Sequence, residues 1–379
     1  MTEPAVAVHT DPVALAAELV AIDSVNPSLV PGAAGERAVA DFCAAWLAAR
    51  GFEISWLGAA DRPSIVAVKR GTGGRSLMLN GHLDTVAATP VQLVPALRDG
   101  RLYGRGVFDM KSGVAAIMIA AAEARCTGDV IVALVADEEF GSTGTEQVLE
   151  TFTADAAIVA EPSGLELTVA HRGFAWFEVA ISGRAAHGSQ PELGVDAIAH
   201  AAQIMRALDE LGRSLAAGPT HPLLGQGTVR VSTISGGVDA ATVAPSATLT
   251  IERRFLPGEG PDAVEEELRL TLGTLLDSSA PDTARATLRR LVARGAFEAA
   301  PQSPIVDVVS RHTHTVTGSA VRRGEPFWTD AGLYAEAGIP CVIIGVDGGG
   351  AHADEEWVTT GSIRQLTEIL RRTIEEFCA

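Results

Sequence analysis

The chain is poor in cysteine. It has four cysteines in 379 residues, and they stand far apart at Cys43, Cys126, Cys341 and Cys378, with no C-x-x-C pair. Disulfide-stapled folds and thiolate zinc sites are built on closely spaced cysteines. We therefore expect neither, and we expect buried thiols in a reducing cytoplasm.

Basic residues and long apolar runs are scarce as well. Lys and Arg number 29 against 47 Asp and Glu, which gives a formal net charge of −18. Such a surface repels nucleic-acid phosphates and anionic membranes, so neither is expected as a partner. No apolar stretch approaches the ~20 residues that span a bilayer, and the first ten residues do not resemble a secretory signal. A cytoplasmic globular protein is predicted.

Apolar strands alternate with helices near both ends of the chain. Predicted strands lie at 64–68, 76–79, 130–136, 156–160 and 341–344. Predicted helices begin after Asp11, run over 35–50, and recur at 113–124, 329–337 and 362–377. Near-continuous apolar strands between helices indicate an α/β fold with a mainly parallel sheet and helices on both faces.

The middle of the chain has a different pattern. Apolar and polar residues alternate at 174–181, 228–234, 247–251 and 285–291, with amphipathic helices at 195–211 and 262–276. The order β-α-β-β-α-β is that of a ferredoxin-like sheet with helices on one face. We predict one domain formed by residues 1–171 and 298–379, and an inserted α+β domain at 172–297.

Potential metal ligands follow the predicted strands of the first domain. They are His82 and Asp84, Glu138 and Glu139, Glu161, His352 after a Gly-rich loop, and Asp109, which stands between glycines just before a helix. In open α/β sheets, ligands gather at the carboxyl ends of the strands, so these side chains are expected to converge. Histidines and carboxylates without thiolates suit hydrolytic zinc, with cobalt or manganese as substitutes.

The local spacing suggests further roles. Residues i and i+2 of an extended segment point the same way, so the Asp84 carboxylate is predicted to accept a hydrogen bond from the His82 imidazole and fix its tautomer. Glu138 and Glu139 are adjacent and should point in different directions. One of them can then bind metal while the other faces the cleft as a general base.

These motifs resemble the two-zinc metallopeptidase and deacylase family that includes acetylornithine deacetylase, succinyl-diaminopimelate desuccinylase, glutamate carboxypeptidase and aminoacylase. The resemblance covers nearly the whole chain. It implies that His82 and Glu161 hold one zinc, that Glu139 and His352 hold the other, that Asp109 bridges them, and that Glu138 is the general acid/base. It also implies a cis peptide bond between Asp109 and Met110.

The resemblance implies that the inserted domain forms a lid and a dimer interface. The segment 183–189 matches a loop whose histidine, here His187, stabilises the transition state and commonly reaches the site of the partner subunit. The segment 252–254 matches an Asp-x-Arg motif whose arginine, here Arg254, binds the substrate carboxylate. A salt bridge at the strand end is the alternative for Arg254.

Two departures from the family pattern stand out. The asparagine that often follows the Gly-Gly pair at 236–237 is missing, and Thr242 is a weak substitute for it. Trp328 stands where several relatives have small residues, so it either shapes a substrate pocket or packs in an aromatic core.

The resemblance as a whole implies a homodimeric amidohydrolase with two zinc ions that cleaves an amide bond next to a free carboxylate. A small N-acyl amino acid is the predicted substrate, which makes the chain an N-acyl amino acid deacylase. A carboxypeptidase or dipeptidase acting on a short peptide with the same chemistry is the alternative. A non-catalytic binding protein on this fold would be expected to have lost ligands, yet all five are present.

Overall fold

The computed structural model describes residues 10–276 and 283–379, and these divide into two compact units. The first contains the residues up to Val169, Ala299–Arg323 and Thr329–Ala379, and the second contains Ala170–Glu298 and Gly324–Trp328. The first nine residues, in which no signal is predicted, lie outside the described part.

One segment differs from the sequence-based boundaries. Gly324–Trp328 belongs to the second unit, whereas the sequence analysis assigns 298–379 to the first domain. Leu223 and Leu224 leave no room for a Cβ atom at Gly324, and the Trp328 indole donates a hydrogen bond to the Gly295 carbonyl at 3.0 Å. These contacts with the second unit account for the placement.

The α-helices of the described chain are numbered in chain order. They are α1 (Pro12–Ala21), α2 (Arg37–Ala48), α3 (Ser112–Glu123), α4 (Thr143–Thr151), α5 (Ala197–Ala216), α6 (Pro261–Leu272), α7 (Pro304–Thr317), α8 (Ala331–Glu336) and α9 (Thr360–Phe377). The Asp11 carboxylate caps α1 by accepting the Val13 amide at 3.3 Å, and Pro12 occupies the first helical position. The predicted start of this helix is confirmed.

The strands are numbered in the same way. They are β1 (Glu53–Ala59), β2 (Arg62–Lys69), β3 (Leu77–His82), β4 (Ala96–Arg98), β5 (Arg101–Tyr103), β6 (Val130–Val135), β7 (Ala156–Val159), β8 (Leu167–His171), β9 (Gly173–Ser182), β10 (Thr228–Gly236), β11 (Ser246–Phe255), β12 (Arg285–Arg294), β13 (Phe297–Glu298), β14 (Arg322–Glu325), β15 (Cys341–Ile343), β16 (Gly348–Gly349) and β17 (Trp357–Thr359).

The largest sheet has a parallel centre and antiparallel edges. Its order is β1-β2-β6-β3-β7-β15-β8-β13, and β14 also pairs with β8. The strands β6, β3, β7 and β15 run parallel. At one edge β2 pairs antiparallel with β6 and β1 with β2, and at the other β8 pairs antiparallel with β15 and β13 with β8. The mainly parallel sheet is confirmed for the centre. A short turn joins β1 to β2, and so short a connection permits only an antiparallel pair.

Helices cover both faces of this sheet, as predicted. On one face, Leu79 of β3 and Leu134 of β6 belong to one buried apolar cluster with residues of α1, α2, α3 and α9. On the other face, the Tyr334 hydroxyl of α8 lies 3.2 Å from the Met78 sulfur, and Asn80 donates to the Thr145 hydroxyl of α4 at 3.2 Å. Strands β3, β6 and β7 are buried along their whole length, which accounts for their continuous apolar sequences.

The second unit contains a four-stranded antiparallel sheet with the order β10-β11-β9-β12. Burial alternates along β9, where Phe177 and Val179 pack in one apolar cluster with Ile204 and Leu208 of α5 and Leu268 of α6. The predicted β-α-β-β-α-β order, with both helices on one face, is confirmed. The strands are longer than predicted, because pairing extends β9 and β11 at both ends and β10 and β12 at their C-terminal ends.

A small sheet in the first unit has no counterpart among the strands predicted from the sequence. Its order is β16-β17-β5-β4, all antiparallel, and its strands are two or three residues long. Strands this short carry no periodicity that can be read in advance. Across residues 10–276 and 283–379, none of the helices combines the length and the apolar character needed to cross a membrane.

Candidate metal centre

The predicted ligands lie where the parallel strands of the first unit end. His82 is the last residue of β3, Glu138 and Glu139 follow β6, and Glu161 follows β7. Asp109 lies in the irregular turn Val107–Lys111 just before α3, and the peptide bond that follows it is cis, as expected.

Asp109 lies between the two histidines. Its Oδ1 atom is 3.1 Å from His82 Nε2, and its Oδ2 atom is 3.5 Å from His352 Nε2. The Glu139 carboxylate lies 2.9 Å from His352 Nε2, and Glu161 lies 3.6 Å from His82 Nε2. The fold therefore places the two oxygens of Asp109 toward two separate sets of donors.

Within the described residues, two groups have ligand atoms that all lie within 4.8 Å of one another. One is His82, Asp109 and Glu139, and the other is His82, Glu138 and Glu161. Imidazole nitrogens and carboxylate oxygens at this spacing suit a divalent transition metal. The donor set is thus chemically suited to the metal ions that the sequence predicts.

The pKa values of the glutamates in this centre are raised, because several acids are buried close together. Desolvation, followed by repulsion from Glu161, raises the pKa of Glu138 well above its usual value. Desolvation and repulsion from Asp109 do the same to the pKa of Glu161, and desolvation raises the pKa of Glu139. Carboxylates that resist ionisation together would be relieved by bound cations.

The two histidines respond in the opposite direction. Burial disfavours the charged form of His82, but attraction to Glu161 and the hydrogen bond to Asp109 outweigh burial and raise its pKa well above the usual value. Hydrogen bonds with Asp109 and Glu139 raise the pKa of His352 to about 10. Burial would raise the pKa of Asp109, but its hydrogen bonds with His352 and His82 hold it below the ordinary range.

The predicted hydrogen bond from the His82 imidazole to the Asp84 carboxylate is wrong, because a different atom of Asp84 lies next to the imidazole. His82 Nδ1 lies 2.9 Å from the main-chain oxygen of Asp84, and the carboxylate is 3.6 Å away. The carboxylate instead accepts the main-chain amides of Glu138 and Glu139, each at 3.1 Å. Residue spacing places Asp84 beside His82, but the free amides at the end of β6 attract its side chain.

A buried network behind Asp84 was not predicted from the sequence. Asn26 donates its amide to Asp84 Oδ2 at 2.8 Å and to Asp137 Oδ1 at 3.2 Å. Arg62 binds Asp137 at 3.0 Å and Glu36 at 2.6 Å, and the Glu36 side chain is fully buried. Asn26 and Glu36 are far from β6 in sequence, so only their full burial as polar residues would have pointed to a role, and burial is a property of the fold.

Asp330, a further buried acid of the same unit, was also not predicted from the sequence. Its Oδ2 atom accepts the Thr145 hydroxyl at 2.6 Å, while its Oδ1 atom is buried without a hydrogen-bond partner. Burial raises the pKa of Asp330 to about 6.

In the second unit, the structure brings His187 and Thr242 together. They pair as an isolated antiparallel bridge, and the Thr242 hydroxyl donates to Asp239 at 3.2 Å. His187 is exposed, and its Nδ1 atom accepts the Ser189 amide at 3.2 Å. An acceptor at Nδ1 places the proton of the neutral ring on Nε2, which makes Nε2 a donor.

Arg254 lies in the salt bridge that the sequence analysis names as the alternative. Its Nε and one terminal nitrogen donate to Glu252 Oε1 at 3.1 and 2.9 Å, and its guanidinium lies 5.2 Å from the centre of the Phe174 ring. Arg230 donates to the other oxygen of Glu252 at 2.8 Å. Glu252 therefore fixes the direction of the Arg254 guanidinium.

Trp328 packs in an aromatic cluster of the second unit. It is half-buried, and its ring lies edge-on to His171 and to Phe174, with centroids 6.0 Å apart in both cases. These contacts match the alternative in which Trp328 packs in an aromatic core. A role in a substrate pocket stays a prediction.

Known proteins resemble this chain over most of its length. An acetylornithine deacetylase of Myxococcus xanthus is 31% identical over 332 residues, which cover 84% of this chain and 85% of that protein. An M20 family metallo-carboxypeptidase from Sulfolobus solfataricus has a TM-score of 0.79 at 16% identity, covering 96% of this chain and 98% of its own. A dinuclear metal-binding M20 peptidase of Bacillus subtilis has a TM-score of 0.72 at 16% identity, covering 96% and 97%.

The model of peptidase family M20/M25/M40 matches residues 78–376, a span that includes the inserted unit. It begins in β3, ahead of His82, and ends in α9, beyond His352. The family's hydrolases are metal-dependent and cleave amide bonds, in keeping with the donor set described above. The chain belongs to peptidase family M20/M25/M40.

Proposed function

We propose that this protein is an N-acyl amino acid deacylase that hydrolyses the amide bond next to a free carboxylate with the help of two zinc ions. The position of Asp109 between His82 and His352, with Glu138 and Glu161 beside the first histidine, supports hydrolysis with two metals, and the 31% identity to an acetylornithine deacetylase supports an acyl substrate. His82 and Glu161 would hold one metal, Glu139 and His352 the other, and Asp109 both. Cobalt or manganese would serve in the same donor set.

The metals, when bound, would acidify a water molecule and polarise the scissile carbonyl. Glu138 would take the proton of the attacking water and pass it to the leaving nitrogen, so that the amine departs neutral. His187, with its proton on Nε2, would donate to the oxygen on which negative charge develops. Asp84 would hold Glu138 and Glu139 through their main-chain amides.

The inserted unit would supply the contacts to the substrate. Arg254 has the planar fork that suits a carboxylate, and Glu252 holds it in one orientation. Thr242 is paired with His187 and would stand in for the missing asparagine. Trp328 would shape the subsite for the acyl group or side chain.

Comparing acyl substrates tests the proposal directly. Acetyl, succinyl and longer-chain acyl derivatives of one amino acid are compared with dipeptides that end in the same residue, in enzyme loaded with zinc, cobalt or manganese. We expect kcat/KM to be at least tenfold higher for one acyl series than for any dipeptide. If no member of the acyl series is cleaved, the deacylase proposal is wrong.

A carboxypeptidase or dipeptidase is the second candidate. It is favoured by the likeness of the fold to a metallo-carboxypeptidase, and the same five ligands would serve it. A higher kcat/KM for dipeptides in the same panel would establish this activity instead. Protein that binds no zinc, cobalt or manganese would revive a binding protein without catalysis.

We further propose a cytoplasmic homodimer in which His187 acts in the site of the partner subunit. His187 is exposed, and the edge strand β10 of the same unit is exposed along most of its length. The four thiols are unpaired, as suits a reducing compartment. Mixing inactive Glu138→Ala and His187→Ala proteins would restore up to a quarter of the sites if His187 acts in trans. An active monomer by light scattering would contradict the dimer.

A further inference from the structure

An ion pair between two residues that are far apart in sequence is buried in the first unit. Arg105 and Glu356 are separated by 251 positions, and their charged atoms are 2.8 Å apart. Their side chains are only 6% and 1% exposed. Removing two charges from water is costly unless each has further hydrogen bonds, so the remaining partners of this pair decide what it does.

Glu356 binds the turn that carries Asp109. Its Oε1 atom accepts the main-chain amides of Phe108 at 2.8 Å and Asp109 at 3.0 Å. Its Oε2 atom accepts the amide of Gly106 at 2.9 Å as well as the guanidinium of Arg105. Amides at the start of a helical turn have no partner within the turn, and here one carboxylate accepts three of them.

Arg105 connects that turn to two other loops. Its Nε atom donates to the Ala87 carbonyl at 2.9 Å, in the loop that follows His82 and Asp84. One terminal nitrogen donates to the Ala353 carbonyl at 2.9 Å, one residue after His352. The guanidinium therefore bonds to the loops that follow both histidines. Its partner Glu356 binds the turn that carries Asp109.

We propose that Arg105 and Glu356 are positioning residues that hold Asp109, His82 and His352 at the separation two metal ions require. The inference rests on the proposed function only in its use of the two-metal site. Neither residue would touch a metal or the substrate. They would act through the main chain on both sides of Asp109, so weakening them would loosen both metal sites together.

Metal affinity measures this role independently of activity. Glu356→Gln is the test variant, because glutamine keeps the shape of the side chain but replaces one acceptor oxygen with a donor. Its zinc binding is measured by competition with a chromogenic chelator. We expect zinc affinity to fall by about 10- to 100-fold, as for other residues that support metal ligands, and to fall at both sites. His352→Ala, by contrast, should weaken one site much more than the other.

Glu267→Gln is the matched control. Glu267 pairs with the fully buried Arg253 at 2.9 Å in the second unit. The Glu267→Gln substitution should lower the unfolding temperature without changing zinc affinity. If Glu356→Gln binds two zinc ions as tightly as the wild-type protein, the pair has only a structural role and the inference is wrong.

Arg105→Lys covers the case in which Glu356→Gln does not fold. Lysine keeps the charge but lacks the fork that reaches both loops, so about tenfold weaker zinc binding is expected, and wild-type affinity would overturn the inference. A wild-type protein that binds no zinc, cobalt or manganese would instead contradict the proposed function. The two failures are therefore distinguishable.

Discussion

The two units hold their predicted site residues in different ways. In the first unit, the partners are far apart in sequence: His82 meets Asp109 across 27 positions, and Asp84 holds the amide of Glu138 across 54. In the second unit, His187 and Arg254 have side-chain partners that are local, since His187 bonds to Ser189 and Arg254 to Glu252, each two positions away. Trp328 is the exception, because it packs on His171 and Phe174.

The metal centre is therefore formed by distant segments of the chain, whereas His187 and Arg254 are held by residues near them in sequence. The donors of the metal centre exist as a group only when several strand ends meet, so their geometry depends on the whole first unit. The side chains of His187 and Arg254 are oriented by their own loop and strand. Substitutions in the first unit should therefore affect metal binding or proton transfer, while those in the second should affect turnover and substrate binding and leave the metals in place.

Glu138→Ala should have the largest effect. Loss of a general acid/base costs about 10²- to 10⁴-fold in rate, and we expect kcat to fall by about 10³-fold or more. Metal content should be unchanged, whereas Glu139→Ala should lower it. Elemental analysis and steady-state kinetics on the same samples test this. Near-normal turnover in Glu138→Ala would remove Glu138 from the mechanism.

His187→Ala should come next. Removing one donor to a developing oxyanion costs about 10²- to 10³-fold in kcat, with little change in KM. Ser189→Ala is a suitable control, because it removes the hydroxyl near Nδ1 but keeps the main-chain amide that Nδ1 accepts. The two units would no longer differ as described if His187→Ala lost metal instead of turnover.

Asp330→Asn tests the buried acids of the first unit by pH. The pKa of Asp330 is raised from 3.8 to about 6, so the folded state favours the protonated form. The stability from this preference is complete below pH ~4 and is lost as pH rises through ~6. As the pH rises between these values, the free energy of unfolding of Asp330→Asn should therefore increase by about 2–3 kcal/mol relative to that of the wild-type protein. Urea unfolding of metal-free protein measures it, and a pH-independent difference would contradict it.

Arg254→Met should have the smallest effect of the four. Loss of a charged hydrogen bond to a substrate carboxylate is expected to lower kcat/KM by about tenfold or somewhat more, mainly through KM. Arg230→Met is the matched control, since Arg230 binds the same Glu252 but its side chain is 64% exposed. Equal effects of both variants would mean that Arg254 serves only the salt bridge.

Much of the fold could be predicted because its signals are local. The buried strands of the parallel centre are continuous apolar runs, and β9 alternates because helices cover only one of its faces. Asp11 and Pro12 mark the start of α1 for the same reason: a helix end is determined by a few neighbouring residues. The two- and three-residue strands of the small sheet have no such signal.

The sequence by itself determined the central strands β2, β3, β6, β7 and β15 and the residues that follow them, and therefore which histidines and carboxylates could converge. Only the tertiary structure decided which atoms meet. It turned the Asp84 carboxylate toward two amides instead of an imidazole, and it brought Glu356 to the turn of Asp109 from 247 positions away. A buried carboxylate binds whichever unpaired donors the fold brings within reach, and those donors are set by contacts between distant segments.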